Sequence, residues 1–137
     1  MTDFFKVLAV DLDSGKSRIE LIDERSSVAG GSGLAALLFS RYGHTDLAWN
    51  HPSQPFILAV GPLTEYFPLM SKTVCAFRSP YHDQYTESHG GGRSALSLFF
   101  AGYDALVVTG RARGLSCLSI GSRHLLIEDV SFMKGYG

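Results

Sequence analysis

Apolar and polar positions along the first part of the chain alternate in a way that predicts a β-hairpin. Residues 5–12 are apolar and β-branched, Asp13-Ser14-Gly15 is turn chemistry, and residues 18–22 set Ile19 and Leu21 against Arg18 and Glu20. Ser26 and Ser27 are candidate caps for a helix beyond the hairpin. The period then changes. Leu34, Leu37, Leu38 and Arg41 recur at helical spacing, so a helix is expected over 31–42, with Gly43 as its stop. Residues 44–55 are polar, carry two prolines and read as a loop.

Two short apolar runs come next, at 55–63 and 72–77. Both read as strands, closed by Gly61-Pro62 and by Ser79-Pro80. Residues 81–88 are polar and read as a loop with an extended piece. A second helix is expected over 92–101. Strands at 105–109, 115–120 and 125–130, separated by glycine-bearing turns, read as a meander. Seven strands and two main helices give an α+β fold, with the helices laid on mixed or antiparallel sheet. Residues 131–137 have no core pattern. The expected domain is therefore 1–130, with 131–137 as the start of a linker. One echo runs through the chain: Gly30-Gly31-x-x-x-Ala35-x-x-Leu38-Phe39 and, sixty positions on, Gly90-Gly91-x-x-x-Ala95-x-x-Leu98-Phe99. Duplication and chance both account for it.

The 137 residues are 45% hydrophobic and 18% charged, which fits one folded domain and excludes a disordered chain. The charged share is below the usual level of about 25%. With nine Phe and six Tyr, either the core is aromatic-rich or part of the surface is meant to be covered. A net charge of −1 gives no sign of a nucleic-acid or membrane-surface partner. No apolar run reaches membrane-spanning length and the N-terminus lacks signal-peptide features, so a cytoplasmic location is expected. Cys75 and Cys117 sit in apolar runs and read as buried free thiols. Two cysteines cannot supply the four thiolates of an iron–sulfur cluster.

Several motifs could carry chemistry. Gly31-Ser32-Gly33-Leu34-Ala35-Ala36 fits the dinucleotide fingerprint, yet no strand runs directly into it and no ribose-binding acid comes after it, so a tight turn and close helix–sheet packing explain it better. His89-Gly90-Gly91-Gly92 matches a lipase-type oxyanion motif, but no G-x-S-x-G elbow lies downstream. His82, Asp83, Glu87 and His89 form a loose cluster at spacings that match no zinc pattern. His44, His51 and His124 read as surface residues. The glycine run at 90–92 lets backbone N–H groups approach an anion, and Lys72, Arg78 and Arg93 supply cations suited to phosphate or diphosphate.

Taken together, the segments resemble the N-terminal domain of the aldehyde ferredoxin oxidoreductase family of tungsten or molybdenum pterin enzymes. The likeness is carried by Val7-x-x-Val10-Asp11-Leu12-x-x-Gly15, Gly30-Gly31-Ser32-Gly33-Leu34-Ala35 and Ala59-Val60-Gly61-Pro62-Leu63-Thr64. It continues through Arg78-Ser79-Pro80, His89-Gly90-Gly91 and Phe100-Ala101-Gly102-Tyr103-Asp104-Ala105. The resemblance implies a platform on which a tungsten- or molybdenum-bis-pterin rests, within an enzyme that oxidises aldehydes to carboxylic acids. It implies that Lys72 neutralises pterin phosphate, that the His89 backbone carbonyl helps hold a magnesium ion, and that Gly90, Gly91 and Gly92 offer backbone contacts.

A [4Fe–4S] cluster ligated outside this chain would pass electrons to ferredoxin or an iron–sulfur subunit. The implied partners are the remaining domains of the same enzyme and, in a homodimer, a second copy. The segment would not be active alone, and no acid–base residue stands out. The departures are Ser32 and Lys72, where the family favours Arg, the bulky stretch from Tyr66 to Met70, and Tyr81-His82-Asp83-Gln84 after Ser-Pro. These departures support a second reading, a stand-alone platform or assembly subunit that has kept the fold without tight cofactor binding.

Overall fold

The computed structural model describes residues 4–24, 26–67 and 69–136. Pro68, within the bulky stretch, and Gly137, at the end of the expected linker, lie outside the described residues. Ten main elements run along the chain: β1 (Phe5–Asp11), β2 (Lys16–Ile22), α1 (Ser32–Tyr42), β3 (Phe56–Val60), β4 (Thr73–Arg78), β5 (Tyr85–Gly90), α2 (Ser94–Phe100), β6 (Ala105–Thr109), β7 (Ser116–Ile120) and β8 (Leu125–Asp129). A 3-10 turn at Ser131–Met133 begins the stretch expected as linker.

Six strands form one sheet in the order β2-β1-β6-β3-β4-β5, and β7-β8 form a separate two-stranded sheet. The β1–β2 hairpin is antiparallel with Phe5 opposite Ile22, as the alternation predicts. The meander expectation is corrected. Strand β6 does not pair with β7; it lies between β1, to which it is parallel, and β3, to which it is antiparallel. Its run Ala105-Leu106-Val107 is buried on both faces, as a central strand requires. The extended piece expected within 81–88 is a full strand, β5, an eighth beyond the seven counted from sequence, and it pairs with β4 from Thr73↔Gly90 to Arg78↔Tyr85.

Successive strand residues serve opposite faces of the large sheet. One face carries Val7, Ile57, Ala59 and Val107 and is covered by Leu34, Ala35 and Leu38 of α1. The other carries Leu8, Val10 and Leu106 and is covered by Ala95 and Leu98 of α2. Leu118, Ile120, Leu125 and Ile127 of the β7–β8 hairpin complete that second cover. Burying each large aliphatic side chain contributes about 1.5–3 kcal/mol. The two halves of the sequence echo thus occupy opposite faces, and in each half the alanine and the leucine are buried.

Neither Ser26 nor Ser27 caps α1. Its N-cap is Gly31, with no side-chain cap, and the Ser27 hydroxyl donates to the Glu24 carbonyl instead. Cys75 is half-buried in β4, where burial pushes its thiol pKa up. Cys117 is exposed, which corrects the expectation of a buried thiol. It lies on β7, whose pairing with β8 leaves one side open to solvent.

Candidate functional site

Three glycine segments meet at one end of the large sheet. Val60 ends β3 opposite Thr73, which begins β4, and Thr73 in turn pairs with Gly90, which ends β5. Gly31, just before α1, reaches the same end: its N–H donates to the Val60 carbonyl at 2.9 Å. A Cβ added to Gly31 would stand 3.7 Å from the Gly61 Cα, and Gly31 has φ 54, so glycine suits this close backbone approach. The fingerprint-like Gly31-Ser32-Gly33 is therefore a packing device. Gly33 abuts Val28, whose Cβ would lie 3.4 Å from an added Cβ.

The run at 90–92 differs. Added Cβ atoms on Gly90, Gly91 and Gly92 would meet nothing within 4 Å. Only Gly92, with φ 102, needs glycine for its backbone conformation. The expectation that these glycines open a helix is corrected: Gly90 is the last residue of β5, and α2 starts at Ser94. Beside the run, Lys72 immediately precedes Thr73, the residue opposite Gly90, and is exposed. Arg93 comes directly after Gly92 and is also exposed. The Thr73 and Ser94 hydroxyls lie 2.7 Å apart and tie the start of α2 to the start of β4. Thr64, in the turn after Gly61, is fully buried, and its hydroxyl has no hydrogen-bond partner among the described residues.

The His89 imidazole is engaged by a carboxylate of its own strand. Its Nε2 lies 3.1 Å from a Glu87 carboxylate oxygen. The same oxygen accepts the Ser32 hydroxyl at 2.7 Å, and the other accepts the Tyr85 hydroxyl. These hydrogen bonds, that from Tyr85 foremost, hold the Glu87 carboxyl below its ordinary range. Burial, then the bond to Glu87, pushes the Tyr85 phenol up. The network latches the edge strand β5 to the N-terminus of α1. It was legible only as scattered residues, because Ser32 and Glu87 are 55 positions apart.

Arg78 does not join Lys72. It ends β4 at the opposite end of the sheet, where its Nε and Nη2 donate to Asp83 at 2.8 and 3.0 Å and its Nη1 donates to the His44 and Leu47 carbonyls at 2.6 Å each. Its role is to pin a loop. With Asp83 so engaged, the residues 82, 83, 87 and 89 do not gather: among the described residues no group of three or more His, Cys, Asp or Glu is placed to hold a metal ion. His44, His51, His82 and His124 are exposed. Among the described residues no helix is long and apolar enough to cross a membrane.

Residues 7–137 match the family model described as the aldehyde ferredoxin oxidoreductase N-terminal domain. A tungsten-containing aldehyde ferredoxin oxidoreductase of Pyrococcus furiosus is 31% identical over 133 residues, covering 95% of this chain and 22% of that protein. One from Thermococcus kodakarensis is 29% identical with the same coverage. Among solved structures, the active-site complex BamBC of benzoyl coenzyme A reductase, with 1,5-dienoyl-CoA, superposes with a TM-score of 0.88 at 28% identity, covering 95% of this chain and 20% of that one. The chain thus spans about a fifth of the length of these relatives. Matched along nearly its whole length in sequence and in fold, it belongs to the aldehyde ferredoxin oxidoreductase family, as an N-terminal domain.

Proposed function

We propose that this chain is the cofactor platform of a tungsten- or molybdenum-pterin oxidoreductase, and that the sheet end at Lys72 and Gly90–Gly92 faces the phosphates of the pterin. The observation that carries this reading is the open glycine run. Among the described residues nothing lies within 4 Å of a Cβ added at Gly90 or Gly91, and an exposed lysine stands beside them. Backbone without side chains next to a cation suits a phosphate group. Lys72 acts as a point charge on a flexible stem, without the bidentate fork of an arginine. The engagement of the His89 imidazole with Glu87 leaves the backbone carbonyl as the group that residue offers a magnesium ion. Thr64 adds an unmet hydroxyl in the turn after Gly61.

When bound, such a cofactor supplies two-electron redox chemistry, here the oxidation of an aldehyde to a carboxylic acid. A [4Fe–4S] cluster, held outside this chain, would carry the electrons to ferredoxin or an iron–sulfur subunit. In this reading the chain binds, orients and neutralises.

The test is metal content. Protein produced from its native gene with tungstate in the medium is expected to hold tungsten, and Lys72→Glu is expected to lower that content several-fold, because attraction to phosphate becomes repulsion. Unchanged tungsten by elemental analysis sinks the role given to Lys72. The exposed Tyr66, Phe67, Leu69 and Met70 favour a second reading, a stand-alone platform subunit with weak cofactor binding. A reading frame that continues past residue 137 into four clustered cysteines supports the enzyme; a stop codon there supports the subunit.

A further inference from the structure

The glycine run is held at both ends by one residue. Gly90, which ends β5, is opposite Thr73, and Ser94, which begins α2, sets its hydroxyl 2.7 Å from the Thr73 hydroxyl. Residues 91–93 are the free span of a short loop whose two feet stand on Thr73. Lys72 comes directly before it. One position thus places both the cation and the loop beside it.

The loop carries the chain across the sheet end, from β5 to the face covered by α2. Before the loop, the Glu87 carboxylate ties β5 to Ser32 on the α1 face. Val74 and Ala76 belong to the core under α1, so the Thr73 side chain points to the opposite face, beneath α2. There Thr73 is buried, at 5% exposure. A buried hydroxyl needs a partner, and among the described residues Ser94 is the side chain that supplies one.

The hydroxyl pair carries the start of α2. The helix has seven residues, fewer than the roughly 12–15 that an isolated helix needs in water. Its N-cap, Arg93, makes no side-chain cap bond. Ala95 and Leu98 seat its middle on the sheet. A cleft of about 280 Å³ that reaches Thr73, Ser94 and Ser97 flanks its first turn, so packing is open on that side. The Arg93 carbonyl accepts the Ser97 N–H at 2.9 Å, so Arg93, and the loop behind it, goes where α2 begins. Resting on the platform reading, we infer that Thr73 and Ser94 are positioning residues for the cofactor phosphate: their shared hydrogen bond holds the backbone of 91–93 in the shape that the phosphate meets. The hydroxyl is the part that acts. Serine therefore serves at 73, and valine, of similar shape, does not.

The test compares Thr73→Val, Thr73→Ser, Ser94→Ala and the Thr73→Val/Ser94→Ala double variant with Lys72→Glu, each produced from the native gene with tungstate. Thr73→Val and Ser94→Ala are each expected to lower tungsten content at least fivefold, and the double variant no further than the singles. Thr73→Ser is expected to keep at least half of the native content. Hydrogen exchange of the same proteins made without tungstate gives a readout independent of the metal. In Thr73→Val and Ser94→Ala the Ser97 amide is expected to exchange at least tenfold faster, while the amides of β4 and β5 keep their native rates. In Thr73→Ser both stay as in the native chain. Ser94 is exposed, so Ser94→Ala carries the test if Thr73→Val does not fold. Unchanged tungsten in Thr73→Val and Ser94→Ala with low tungsten in Lys72→Glu overturns the inference and leaves the platform reading standing. Native protein without tungsten, or unchanged tungsten in all the variants, overturns the two together. Equal loss in Thr73→Ser and Thr73→Val assigns the effect to side-chain shape and sinks the inference. So does faster exchange throughout β4 and β5, because the pair is then a general support of the fold.

Discussion

Gly91 offers the sharpest test of the platform reading, because its stability effect and its binding effect are expected to have opposite signs. A methyl group at Gly91 meets nothing within 4 Å, and its backbone is not in the positive-φ region. Gly91→Ala therefore adds no clash and reduces the freedom of the unfolded chain, which stabilises by about 0.4–1 kcal/mol. For a chain of this length that raises Tm by roughly 1–4 °C. Gly92 is the internal control. It too faces open space, but φ 102 is costly for alanine, so Gly92→Ala destabilises by about 1–3 kcal/mol.

Thermal unfolding monitored by circular dichroism measures both shifts. Tungsten content of the same proteins, made with tungstate, measures the binding side. If the backbone at 91 lies against a cofactor, the added methyl stands in its place, and tungsten in Gly91→Ala falls at least tenfold while Tm holds or rises. A tenfold loss corresponds to about 1.4 kcal/mol of binding. A lower Tm for Gly91→Ala refutes the open-space geometry. Full tungsten content at unchanged Tm refutes the approach of a cofactor to this glycine.

The packing and the electrostatics set two further outcomes. Leu38→Ala removes a fully buried side chain between α1 and the sheet and is expected to cost about 2–5 kcal/mol, read as a lower urea midpoint with unchanged m-value. Glu87 has a folded pKa below its ordinary value of 4.5, so its bonds to Tyr85, Ser32 and His89 stabilise fully above that value and lose their effect as pH falls through the lower folded one. Glu87→Gln is expected to flatten the dependence of stability on pH below about 4.5, in urea titrations at several acidic pH values; an unchanged slope removes Glu87 as the latch between β5 and α1.

The hairpin was legible from its turn and from the alternation in β2, α1 from the helical spacing of Leu34 and Leu38, and β3 and β4 from short apolar runs closed by Gly61-Pro62 and Ser79-Pro80. The place of β6 was not, although its unbroken apolar run carried the signal of a strand covered on both faces. Strand β5 was read only as an extended piece of a loop, for the converse reason. An edge strand with exposed Tyr85, Ser88 and His89 has no need of alternation, so it reads as loop. The glycines at 90–92 were recognised as a site, but the start of α2 was placed too early, because glycine serves equally as strand end and helix opener. The meeting of Lys72 with Gly90 depends on β4–β5 pairing, and Lys72 is separated from Arg78 because one precedes the start of β4 and the other ends it. The hold on the loop 44–55 depends on tertiary bonds from Arg78 and Gln54 that no local spacing encodes.

The insertion of β6 between β1 and β3 also has a kinetic meaning. The Lys6 N–H is held by the Asp104 carboxylate, 98 positions away. During synthesis the β1–β2 hairpin and the β3–β4–β5 unit each emerge with an unpaired edge, and neither can be joined until residues 105–109 have left the ribosome. Closing a loop of that length before the long-range pairing rewards it makes the final step slow. The nascent chain therefore carries two sticky edges from the appearance of β3 until residues 105–109 emerge, and the protein's yield in a cell depends on what shields them until the central strand arrives.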